Sequence, residues 1–100
     1  MTHTPLPSDI YSAARALCIS AGGAATVLAS DAACYRADAR GAAGKGDDAV
    51  AANRETTARC LDSIAAAIRS DVAMLTRALQ TCEPPANVSE PWAWLEGSKT

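Results

Sequence analysis

The chain has 100 residues and a formal net charge of −2, with both signs mixed along its length; this bounds it to one domain and excludes the basic face of a general DNA or RNA binder. Apolar residues make up 49%, too many for disorder throughout. Yet 24 residues are Ala, Phe is absent, and Trp and Tyr together number four. The supply of large core side chains is therefore thin, and a homodimer is the expected remedy.

Pro5 and Pro7 make the first seven residues extended. Ser8 is the expected N-cap of a first helix over residues 8–40, with Asp9 in its first turn. Ile10, Ala14, Leu17, Ala21, Ala24 and Leu28 alternate spacings of 4 and 3, which is one helical face. Continuing the step leads to Asp31 or Ala32, then Tyr35 and Ala39. Small residues hold much of this stripe. Gly22-Gly23 interrupts it at a cost of about 2 kcal/mol relative to two alanines. Either the helix breaks there, or a neighbouring backbone comes close where no Cβ stands in the way. The second reading is preferred. A hairpin turning at residues 41–47 sets Gly22 and Gly23 opposite Ala65 and Ala66, small against small, as the expected helix crossing.

Gly41, Gly44 and Gly46 supply turn and C-cap chemistry for that connection. Gly44-Lys45-Gly46 lacks the GxxxxGK[ST] pattern of a phosphate loop. Asp47 or Asp48 caps a second, longer helix over residues 48–82, where the acidic pair suits the positive end of the helix dipole. Its apolar stripe comprises Val50, Leu61, Ile64, Ile68, Val72, Leu75 and Leu79, with Thr57 and Cys82 in step. Glu55 and Arg59 stand at the favourable i,i+4 spacing on another face. Pro84 and Pro85 stop the helix.

Residues 83–88 read as a linker. Residues 89–97 read as a short helix with Ser89 as N-cap, Pro91 in the first turn and Gly97 as C-cap. The second helix ends beside the start of the first. Trp92, Trp94 and Leu95 are therefore expected to fold back over Leu6, Ile10 and Tyr11. They are also the candidate partner-binding residues, since Trp is enriched at binding hot spots. Trp92 and Leu95 share a helical face and Trp94 points elsewhere, so one tryptophan is expected to plug the bundle and the other to meet a partner.

No catalytic constellation is present. The single His, His3, stands near the terminus, and no Glu-x-x-His box occurs. Cys18, Cys34, Cys60 and Cys82 form no CxxC and no Cys/His pair. They read first as small buried thiols in a reducing cytoplasm, with disulfide stapling or a soft-metal site as the alternatives. No cofactor is called for. Residues 16–29 form an uncharged run after Arg15, but Asp9 lies where a signal peptide is basic. No run is taken to approach a transmembrane length. The expected location is the cytoplasm, without membrane association.

In length and hairpin shape the chain resembles the WXG100-type secreted proteins. Trp92 and Glu96 carry the spacing of their aromatic-x-x-x-acid tail signal, with Trp in place of the usual Tyr, while their Trp-x-Gly turn motif is absent. The resemblance implies a small secreted helical hairpin. The residues themselves point to an all-α hairpin of two long helices plus a short C-terminal helix, closing into four helices as a homodimer. The leading function is a non-enzymatic interaction module that binds another macromolecule. By analogy of size it belongs with small inhibitors and adaptors, including phage-encoded inhibitors of bacterial defence systems. A thiol-based metal- or ligand-sequestering bundle is the alternative.

Overall fold

The computed structural model describes residues 4–97. Two long antiparallel helices, α1 (Ser8–Gly44, 37 residues) and α2 (Asp48–Gln80, 33 residues), precede a short α3 (Ala93–Gly97). The described residues contain no strand. The molecule measures 68 × 20 × 17 Å. A helix with its side chains is about 10–12 Å across, so the chain is a hairpin with no enclosed interior. It exposes 6760 Å², where a compact monomer of 10.2 kDa exposes roughly 5,300 Å².

The seam between the helices is built from small residues. On α1 the buried column is Tyr11, Cys18, Ala25, Ala32 and Ala39, one residue in every seven. Ala14, Ala21, Leu28, Tyr35 and Ala42 run beside it half-buried. On α2 the matching columns are Ala51, Ala58, Ala65, Val72 and Leu79, and Arg54, Leu61, Ile68 and Leu75. A strict heptad repeat of this length keeps the contact on one face. A buried methyl contributes only about 0.8 kcal/mol, against about 1.5–3 for Leu or Ile. The seam is therefore long and shallow.

This seam corrects the expected stripes. On α1 the expected column of Ile10, Leu17 and Ala24 is exposed, and the buried one lies a residue further on. On α2 Leu61, Ile68, Val72, Leu75 and Leu79 face the partner as expected, but Val50, Ile64 and Cys82 are exposed. The reason is electrostatic. The Ile10–Leu17 column continues into Asp31 and Asp38, and the Val50–Ile64 column into Asp71. Burying unpaired carboxylates costs more than the exposed aliphatic groups would gain.

The glycine crossing is corrected too. α1 runs unbroken through Gly22-Gly23. A Cβ built on either glycine meets nothing within 4 Å, so neither marks a close approach. Ala65 is buried in the seam, while Gly23 and Ala66 are exposed. The turn explains the shift. α1 extends to Gly44, past the expected end at residue 40, and the connection is only Lys45 to Asp47. Gly46 takes the left-handed φ of 79°. Its N–H donates to Ala43 O (3.0 Å), and that of Asp47 to Ala42 O (2.9 Å), the paired hydrogen bonds of a glycine C-cap. The Asp47 carboxylate then accepts from Val50 N at 3.3 Å and caps α2. A tighter turn moves the register, bringing Ala32 level with Ala58 and Ala25 level with Ala65.

The ends differ from expectation as well. Pro7, not Ser8, precedes the first turn of α1, and its carbonyl accepts from Tyr11 N at 2.9 Å. α2 stops at Gln80, short of Cys82, because Pro84 biases Glu83 away from the helical region. α3 starts at Ala93, not Ser89. Glu90 with φ 51° and two i+3 turns, Ala93 N to Glu90 O and Leu95 N to Trp92 O, replace its expected first turn. One further correction concerns α1 as a whole. The uncharged run of residues 16–29 is short, but the helix around it is long and apolar enough, by length and composition, to cross a membrane, with a mean hydropathy of 1.4 in its 18-residue window.

Candidate functional site

The tail closes over the open end of the hairpin, centred on Tyr11. Leu6 N donates to Glu83 O at 2.8 Å, and the Ser8 hydroxyl donates to Asn87 Oδ1 at 2.9 Å. The Tyr11 hydroxyl donates to the Pro91 carbonyl. Trp94 Nε1 lies 2.7 Å from the same carbonyl and 3.2 Å from the Tyr11 oxygen. The Trp92 ring meets Tyr11 edge to face, with centroids 5.8 Å apart, a geometry that aromatic pairs favour. Both tryptophans are half-buried, as is Leu95. The expected division of labour between Trp92 and Trp94 is thus corrected: both engage Tyr11. Pro91 O collects the two aromatic donors because the chain is not yet helical there. The tail is a clasp in which both half-buried indoles pack on Tyr11.

The hairpin has two broad faces of different character. Arg36 reaches across to Glu55 (3.7 Å) and to Asp62, which marks the first face. Donation to the Asp62 carboxylate holds the Arg36 guanidinium above its ordinary pKa. Glu55 is thus engaged across the seam, where the helix spacing had suggested Arg59. By helical period Arg15, Arg40, Arg59 and Arg69 fall on the same side. Asp38 lies two positions from Arg36, about 200° around the helix. It lines a surface groove with Val50, Lys45 and Arg54 on the opposite face. The Arg54 guanidinium stands 5.7 Å from the centroid of the Tyr35 ring.

That second face carries apolar side chains that the seam leaves out. Leu17 and Met74 are 60% and 59% exposed, Val27 59% and Ile64 49%. Sequence reasoning counted Leu17 and Ile64 as core. The signal that could have excluded them was present: one heptad or two beyond each stands an Asp in the same column.

The thiols are dispersed. Cys18 is buried in the seam, and Cys34, Cys60 and Cys82 are exposed. Of the four expected buried thiols, only Cys18 is one. Among the described residues no three His, Cys, Asp or Glu side chains come together as a ligand set; His3 lies outside those residues. Burial pushes the Cys18 thiol up from its ordinary range, which lowers its thiolate fraction. A disulfide reagent added to the native protein at neutral pH should therefore titrate Cys34, Cys60 and Cys82 promptly. Cys18 should react only on unfolding. Four equal fast phases would show that the seam opens readily at Cys18.

Set against family models, curated proteins and solved structures, the chain gives no match.

Proposed function

We propose that this protein is a non-enzymatic interaction module, a small helical inhibitor or adaptor that binds another macromolecule through a face of its hairpin. One observation carries this reading: Leu17, Val27, Ile64 and Met74 stand outside the seam while alanines hold most of its buried positions. A two-helix hairpin that sought only its own stability would place Leu17 and Ile64 between the helices, where each contributes about 1.5–3 kcal/mol. Exposed apolar side chains gathered on one face are the usual mark of a contact site. A sequestering bundle needs inward thiols, and the three exposed cysteines do not serve it. Insertion of the hairpin into a bilayer is disfavoured by α2, which pairs with α1 along its length and carries Arg54, Glu55, Arg59, Asp62, Arg69, Asp71 and Arg77.

The test is affinity capture from the host, comparing the native chain with a Leu17→Ser/Ile64→Ser variant. Both substitutions fall on exposed positions, so helix content and melting temperature should hold. The native chain should retain a defined host protein that the variant loses. Retention of the same protein by both would place the contact elsewhere, and no retained protein would overturn the reading.

A further inference from the structure

We infer that the face carrying Leu17, Ile64 and Met74 docks an amphipathic helix of another protein whose apolar stripe is flanked by Lys or Arg. This rests on the interaction reading above and adds to it the face and the partner's chemistry.

The first support is the distribution of exposed aliphatic groups. Of the seven large exposed apolar residues among those described, Ile19 alone belongs with the ion-pair face. The other six, by helical period, line the opposite side: Ile10, Leu17 and Val27 from α1, and Val50, Ile64 and Met74 from α2. In the register set by the Arg36–Glu55 and Tyr35–Arg54 contacts, Leu17 comes level with Met74, and Val27 with Ile64. Exposed aliphatic groups from both helices along one side are what a third helix requires.

The second support is charge. Lys45 and Arg54 stand at the turn end of this face, balanced there by Asp38 and Asp47, and Arg54 is drawn over Tyr35. Along the rest of its length, by helical period, the charges among the described residues are Asp31 on α1 and Asp71 on α2. Covering the aliphatic groups therefore covers carboxylates too. An apolar helix without cations would desolvate them unpaired, at a cost that offsets the contact. A second copy of this chain, joined face to face, would set Asp against Asp, as would the surface of an anionic bilayer. Flanking Lys or Arg side chains satisfy the carboxylates and also select the partner.

The probe is a synthetic three-heptad helix with a Leu seam flanked by Lys. Its control has the same Leu seam flanked by Glu. Each is titrated by fluorescence anisotropy into the full chain at moderate salt, with light scattering to report self-association. The Lys helix should bind at least tenfold more tightly than the Glu helix. Asp31→Asn/Asp38→Asn/Asp71→Asn should abolish that preference. Asp9→Asn/Glu83→Gln/Glu90→Gln, which alters net charge equally at exposed positions off this face, should preserve it. Circular dichroism checks that each variant keeps its helices. Loss of preference in both triple variants would reduce the effect to net charge and overturn the inference. A stable dimer that blocks the probe would overturn it in favour of a second copy. Equal binding of both helices, abolished by Leu17→Ser/Ile64→Ser, overturns the basic partner yet leaves the interaction function standing. Failure of both helices to bind, with no host protein retained, defeats both.

Discussion

Ala58→Leu should destabilise the hairpin by about 1–3 kcal/mol, the range for overpacking a filled site. Ala66→Leu, eight positions on, should change it by less than about 0.5 kcal/mol. The pair is a direct test of the seam. Ala58 is fully buried and stands level with the equally buried Ala32, so a larger side chain must push the helices apart or leave its rotamer. Ala66 faces solvent, where Leu is close to Ala in helix propensity. For a chain of this size a kcal/mol moves the melting temperature by roughly 4–8 °C, so thermal unfolding separates the two outcomes easily. Had the seam followed the expected column through Ile64, Ala58 would stand at its edge and both variants would change stability little. Equal melting temperatures for both would show that the helices are not held by their alanines.

Tyr11→Ala should have the larger effect at the other end, about 3 kcal/mol as for a buried aromatic truncated to Ala. Tyr11 is buried between the start of α1 and the tail, and it holds Trp92 by its ring and Pro91 by its hydroxyl. Tyr11→Phe separates those contributions. It keeps the ring contact and loses only the hydroxyl, at about 1 kcal/mol. Trp94 Nε1 still reaches Pro91 O, so that carbonyl is not orphaned. Tryptophan emission reads the clasp, since both tryptophans of the chain lie in the tail. Tyr11→Ala should shift emission to the red and open residues 83–97 to protease, while α1 and α2 keep their helicity. Unchanged emission in Tyr11→Ala would mean that the tail docks without Tyr11.

The clasp and the alanine seam bear on each other. Tyr11 and Leu79, the large buried apolar side chains among the described residues, both lie at the open end of the hairpin, and the rest of the buried seam is alanine and Cys18. The tail covers that end with its two indoles. At the other end the Gly46 cap and the Asp47 carboxylate join the helices in three residues. The hairpin is thus secured at both ends, and its broad faces stay available.

Much of this architecture was legible residue by residue. Pro84 and Pro85, the glycines near residue 44 and the 3-4 spacing of Leu61 through Leu79 specify two long helices, because those effects are local to the backbone. The return of the tail over Tyr11 was also legible, since antiparallel helices bring those segments to one end. The side of each helix that turns inward was not. Ile10 and Tyr11, or Ile64 and Ala65, are neighbours with equal claims by period, and hydrophobicity favours the wrong member of each pair. Only the pairing of the two helices decided between them. It had to keep Asp31, Asp38 and Asp71 in water over the full length of the hairpin, and it had a register set by a turn three residues long. Periodicity is a property of one helix, whereas the seam minimises a cost shared by two. That shared cost put alanines at the centre of the seam and left Leu17, Ile64 and Met74 exposed.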